Sequence, residues 1–177
     1  MPRLNYFSYG SNMHPLRLGE RVPSCRALGI AELPEWSLQF HKRGADHSAK
    51  CNLVFTGQKK DRVIGVVYDI AADEKPNLDA VEGGYHTAQI EILMDGSKTS
   101  VFSYLANAAY IDESLKPFDW YLEMVVSGAL HNTMPKSYVQ HIASRSMMID
   151  ADTRRRQANL KRLEAMREFT AGQVADV

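Results

Sequence analysis

Leu4-Asn5-Tyr6-Phe7-Ser8-Tyr9-Gly10-Ser11-Asn12 begins as an aromatic-rich run and ends in a turn tripeptide. That is the pattern of a strand stopped by a tight bend. Working outward from it, the first half of the chain reads as strands. Trp36 to Phe40 alternates apolar and polar residues, the period of a half-buried strand. Cys51 to Phe55 and Val63 to Ile70 are denser apolar runs, and the β-branched Val63, Ile64, Val66 and Val67 favour strand over helix there. Tyr85 to Met94 alternates through Ala88, Ile90 and Ile92, and Asp95-Gly96 is a hairpin signal before Thr99 to Ala106. A short helix is expected over Asp73 to Glu82, ending at Gly83-Gly84.

The second half reads as helices. Pro117 to Leu130 carries Tyr121, Met124, Val125 and Gly128 at helical spacing, and Pro135 to Ser146 has a proline-first start. In the tail, Asp152 to Phe169, the apolar residues Leu160, Leu163, Met166 and Phe169 recur every three positions. A strict three-residue spacing winds the stripe around the axis, so looser packing is expected of this helix. The fold class is therefore α+β: a small mixed, mostly antiparallel β-barrel or sheet with flanking helices and a helical tail. The division expected is one domain over 1–146 and a helical extension over 147–177 packed on it.

Composition narrows the function. The chain has 177 residues, 45% hydrophobic and 24% charged, with 21 basic and 21 acidic side chains. A balanced charge gives no global pull toward nucleic acid or an anionic membrane, and there is no apolar run of spanning length. Met1 to Tyr6 lacks the apolar core of a secretion signal. The reading is a cytoplasmic protein whose two cysteines, Cys25 and Cys51, are free thiols outside any metal or CxxC pattern. The six histidines form no HxH or HxxxH pair, which leaves no metal site to expect. Arg154-Arg155-Arg156 with Lys161, Arg162 and Arg167 makes a basic tail, but Glu164 and Glu168 intersperse it, as on a solvated helix face. Tyr104, Tyr110 and Tyr121 are candidate pocket residues, or simply core rims.

Two features carry candidate chemistry. The turn at Tyr9-Gly10-Ser11-Asn12 can aim successive backbone N–H groups at one point, an anion cradle for a carboxylate or phosphate, with Gly10 free to take left-handed dihedrals. No GxxxxGKS or GxGxxG frame surrounds it, and an ordinary turn is the plain alternative. Glu82 falls at the end of the expected helix, where the macrodipole disfavours a carboxylate; that field, neighbouring Asp79 and burial would raise its pKa toward that of a useful base. A solvated helix-end glutamate is the alternative there.

Tyr6-Phe7-Ser8-Tyr9-Gly10-Ser11-Asn12 taken with Leu78-Asp79-x-x-Glu82-Gly83 resembles the γ-glutamylcyclotransferase family. The likeness runs on through Gly65-Val66-Val67-Tyr68, Ser103-Tyr104-Leu105, Tyr121, Gly128-Ala129 and Met134-Pro135 to Tyr138, covering Leu4 to Ile142 in the family's order. The resemblance implies a small barrel with flanking helices and a catalytic glutamate at Glu82. It implies a substrate loop of Tyr6, Phe7, Ser8, Tyr9, Gly10 and Ser11 with Asn12 adjoining, and a ligand-contacting tyrosine at Tyr121. It further implies a small γ-glutamyl substrate cyclised to 5-oxoproline, no cofactor, no metal, no nucleic-acid or membrane partner, and it admits a homodimer. The motif reads YGSN, as in the branch acting on γ-glutamyl amino acids, not YGSL as in the glutathione-specific branch. Glu82-Gly83-Gly84-Tyr85 is shorter than in some members, so the acceptor wall is expected to differ. The rival readings are a γ-glutamyl amide hydrolase, a non-catalytic binder of small acidic ligands, and an RNA- or partner-binding protein working through the tail.

Overall fold

The computed structural model describes residues 2–175. Seven strands run in chain order: β1 (Arg3–Ser8), β2 (Arg26–Pro34), β3 (Trp36–Arg43), β4 (Ala49–Phe55), β5 (Arg62–Ala71), β6 (Tyr85–Met94) and β7 (Ser97–Ala106). Five of them close a barrel in the order β1-β5-β2-β6-β7. Every ladder in it is antiparallel except the closing one, where β1 meets β7 in parallel at Tyr6 and Phe102. The expected α+β class, a mostly antiparallel barrel with flanking helices, is the observed one. β3 and β4 form a separate two-stranded ribbon. Asn52 on β4 ties this ribbon to the barrel by accepting the Ala106 N–H at 2.9 Å.

β2 is the strand with no clean signal in the sequence. Its ladder with β5 slips between Ala27 and Gly29, and Gly29 sits at a φ of 147°. A bulge of this kind breaks the period-2 pattern by which strands are read. Asp95 and Gly96 do turn β6 into β7, with φ values of 50° and 77°, as a type I′ hairpin requires.

The helices are α1 (Pro15–Gly19), α2 (Lys75–Val81), α3 (Asp119–His131), α4 (Lys136–Ala143) and α5 (Thr153–Ala175). α2 is shorter than expected, because Ala72–Glu74 forms a 3₁₀ turn ahead of it and Glu82 serves as its C-cap. α3 is buried along most of its length and packs close to the loop after β1. A Cβ at Gly128 would lie 2.9 Å from the Met13 Cβ and 3.1 Å from the His14 N, so only glycine allows this approach.

The tail helix α5 lies on α3. Its three-residue spacing leaves a narrow contact stripe in which Leu163 and Met166 are buried, while Phe169 is 37% exposed and packs its ring against His14 and His131. Polar contacts supplement it. His14 Nε2 meets the Met166 carbonyl at 3.0 Å, and four arginines of the basic tail pair with carboxylates: Arg155 with Asp150, Arg156 with Asp119, Arg162 with Glu20 and Arg167 with Glu123. No described helix is long and apolar enough to cross a membrane.

Candidate active site

Where β1 ends, the chain passes through Tyr9 and Gly10 into a 3₁₀ turn, Ser11–Met13, and then into α1, whose N-cap is His14. This loop is pinned from beneath. The Met13 carbonyl accepts hydrogen bonds from Tyr68 Oη at 2.7 Å and from Asn132 Nδ2 at 2.9 Å. Above it lies a cavity of about 450 Å³, lined by the loop, α1, the β3–β4 ribbon, the end of α2 and the start of α3.

Of the residues singled out in the sequence, Tyr6, Ser8, Tyr9, Gly10, Ser11, Asn12, Glu82, Tyr104 and Tyr121 line this one cavity. Phe7 does not belong with them. Side chains alternate across a strand, so with Tyr6 and Ser8 facing the cavity Phe7 turns into the barrel core, where its ring covers Gly65: a Cβ there would meet Phe7 Cζ at 2.6 Å. Tyr110 is also outside the cavity and 41% exposed. The left-handed conformation expected of Gly10 is absent, since its φ is −118°. What excludes a larger residue is crowding, with an ideal Cβ 3.3 Å from the Cys51 Cβ and 3.5 Å from Tyr121 Oη. Among the described residues, the N–H groups of Gly10 and Ser11 have no acceptor within the protein.

Glu82 Oε1 accepts a hydrogen bond from Asn12 Nδ2 at 3.2 Å, and Asn12 Oδ1 accepts one from Arg21 Nη1 at 2.5 Å. Burial raises the Glu82 pKa above its ordinary value, opposed by the charges of Arg21, Lys42 and Arg17 and by the Asn12 hydrogen bond. Burial, not the seven-residue helix, is thus the main cause. Asp79 plays no part of the kind the sequence suggested. Its carboxylate is taken up by Lys75 Nζ at 2.7 Å and by Tyr104 Oη, which donates at 2.6 Å.

Tyrosine hydroxyls brace the walls. Tyr9 Oη donates to the Tyr104 carbonyl at 2.5 Å, Tyr85 Oη donates to the Cys51 carbonyl at 2.6 Å, and Tyr121 Oη accepts the Cys51 N–H at 3.1 Å. Burial pushes the Cys51 thiol up to about 12, so this free cysteine is a wall residue and no nucleophile.

The cavity also holds residues with no motif to announce them: Arg17, Arg21, Lys42, Asp46, Lys50 and Trp120. Lys42 Nζ donates to the Gly83 carbonyl and lies 4.4 Å from the centre of the Tyr85 ring. Lys50 Nζ pairs with Asp46 at 2.7 Å and sits 4.5 Å from the Tyr121 ring centre. Four cationic and two anionic side chains therefore face the cavity, a balance suited to an anionic guest. Among the described residues, no group of three or more His, Cys, Asp and Glu side chains is arranged to hold a metal.

Comparison with known proteins finds relatives in sequence and structures of the same fold. Residues 62–142 match the model of the AIG2-like family. The chain is 26% identical to the γ-glutamylcyclotransferase of Homo sapiens over 149 residues, covering 77% of this chain and 76% of that one. It is 27% identical to the Mus musculus protein of the same name over 145 residues. A solved γ-glutamyl cyclotransferase structure superposes with a TM-score of 0.77 at 23% identity, covering 86% of this chain and 93% of that one. The chain is thus similar to γ-glutamylcyclotransferases in sequence, and it shares the fold of the solved one.

Proposed function

We propose that this cavity cyclises γ-glutamyl amides to 5-oxoproline, releasing the free amine or amino acid. The observation that carries the reading is the carboxylate of Glu82, half-buried in the cavity wall, raised in pKa and oriented by Asn12 of the turn that follows β1. The relatives named γ-glutamylcyclotransferase support the same reaction class.

In a γ-glutamyl amide, attack of the α-amine on the γ-carbonyl carbon closes a five-membered lactam. Holding the chain curled supplies most of the acceleration, since well-oriented intramolecular reactions reach effective molarities of about 10⁵ M or more. Free N–H groups at Gly10 and Ser11 anchor the α-carboxylate. Glu82 takes a proton from the α-ammonium, the freed nitrogen bonds to the γ-carbonyl carbon, and the amide C–N bond breaks as Glu82 returns that proton to the leaving nitrogen. The second proton shed by the attacking nitrogen follows to the departing amine, which leaves as an ammonium. Proton transfer of this kind contributes roughly 10² to 10⁴-fold. The nucleophile belongs to the substrate, and the braced Tyr9, Tyr85 and Tyr121 keep the cavity rigid around it.

The test is mass spectrometry on γ-glutamyl amino acids and amines, each with and without an N-acetyl block. The expected result is 5-oxoproline plus amine from the free substrates and nothing from the blocked ones. Glutamate as first product, or turnover of a blocked substrate, would instead indicate a hydrolase. Release of nothing alongside tight binding would indicate a binder of small acidic ligands.

A further inference from the structure

Of the four cations around the cavity, three have their charge or protons engaged. Lys50 is paired with Asp46, Lys42 is bonded to the Gly83 carbonyl, and Arg21 is bonded to Asn12 Oδ1. Arg17 differs. It is only 9% exposed and lines the cavity from α1, and its Nε is fully shielded with no hydrogen-bond partner. Among the described residues its guanidinium makes no hydrogen bond and no ion pair; Arg21 and Arg162 act on it as like charges, opposed at longer range by Glu20 and by Glu82 across the cavity. Burial lowers its pKa to about 10, with Arg21 adding to the effect. A buried guanidinium with no bonded partner is among the more destabilising arrangements a small domain can keep. An anion entering the cavity would offset it, and for a carboxylate the guanidinium presents a planar, two-pronged donor.

We infer that Arg17 is a substrate-binding residue, pairing with the α-carboxylate of the γ-glutamyl group and forming the charged half of a receptor whose neutral half is the N–H groups of Gly10 and Ser11. The placement agrees with the chain's local order. α1 follows directly on the 3₁₀ turn, so one continuous stretch, Gly10 to Arg17, carries both halves. The inference rests on the cyclotransferase reading for the identity of the ligand, though not for the existence of an anion site.

The decisive experiment measures binding, not turnover. 5-Oxoproline and its carboxamide, which lacks only the charge, are titrated calorimetrically into wild type, Arg17→Met and Arg17→Lys, with melting temperatures recorded alongside. Arg17→Met should weaken 5-oxoproline on the order of thirtyfold or more and leave carboxamide binding as in wild type. Its ligand-free melting temperature should be no lower than wild type, since an unpaired buried charge has been removed. Arg17→Lys, with a point charge but no fork, should fall between the two. Equal weakening of both ligands, unchanged 5-oxoproline binding, or a ligand-free melting temperature that falls in both variants would overturn the assignment. So would failure of wild type to bind 5-oxoproline, glutamate or acetate, even if γ-glutamyl substrates turn over. Conversely, Arg17-dependent carboxylate binding in a protein that forms no 5-oxoproline would retain the anion site and reject the cyclotransferase.

Discussion

Asn12 Nδ2 lies 3.2 Å from Glu82 Oε1, so the turn after the first strand and the cap of α2, 70 residues apart, share one hydrogen bond. Arg21 holds the other end of the same amide through Asn12 Oδ1. The orientation of Asn12 is thereby fixed with its amide donor toward the carboxylate, and Glu82 is held in one position at the cavity wall. A proton-transfer residue needs this kind of restraint, because geometry precedes pKa in deciding whether it works.

Replacing Glu82 with Gln should therefore lower turnover by about 10² or more. The folded protein raises the Glu82 pKa, so the group favours folding below the unfolded carboxylate range and loses that contribution as pH rises through the folded value. At neutral pH the Gln variant should melt at or above the wild-type temperature, and the difference should vanish in acid. Parallel activity assays and melting curves across pH check both halves; wild-type-like activity would remove Glu82 from the mechanism.

Gly10 and Ser11 should separate backbone from side-chain roles. The crowding of Gly10 by Cys51 and Tyr121 means that Gly10→Val pushes the loop out of place and abolishes 5-oxoproline binding by calorimetry. Ser11→Ala keeps its backbone donor and should be mild. Equal damage from the two would assign the anchoring to the Ser11 hydroxyl.

Tyr121 presents the opposite profile from Glu82. Its hydroxyl accepts the buried Cys51 N–H, so Tyr121→Phe strands that donor. The expected loss is about 1–3 kcal/mol of stability, read by denaturant unfolding, while turnover of the folded protein stays near wild type. A collapse of turnover without loss of stability would make the hydroxyl a direct participant.

Asp150 anchors the start of the tail and one cavity wall together. It accepts from Arg155 Nη2 at 2.6 Å and from Trp120 Nε1 at 2.9 Å, and Trp120 lines the cavity. The Arg155 hydrogen bonds lead in holding its pKa down to about 2, against burial, which raises it. A depressed carboxylate contributes stability above its unfolded pKa of about 4 and loses it as pH falls through the folded value. Asp150→Asn should reduce stability at neutral pH by roughly 1.5–3 kcal/mol. It should also flatten the acid end of the melting-temperature profile and quench or shift Trp120 fluorescence; an unaltered acid limb would refute the anchoring role.

The strands of the barrel were legible wherever apolar residues alternate or cluster, as in β1, β5, β6 and β7, because burial on one or both faces imposes that order on the sequence itself. The Asp95-Gly96 turn and the Tyr9 to Asn12 bend were legible for the same local reason, each depending on residue types adjacent in the chain, whereas Glu82 stood apart from a solvated helix-end glutamate only through the family resemblance. The direction of Phe7 was set by strand alternation and overrides its place inside a motif. β2 was hidden because the bulge at Gly29 erases the period. Arg17, Lys42, Asp46 and Lys50 carry no motif at all, since their meeting depends on how α1 and the β3–β4 ribbon fold against the barrel's side. The raised pKa of Glu82 follows the same rule. Its identity is written locally, but the burial that tunes it comes from residues distant in the chain, and only the packed structure brings them together.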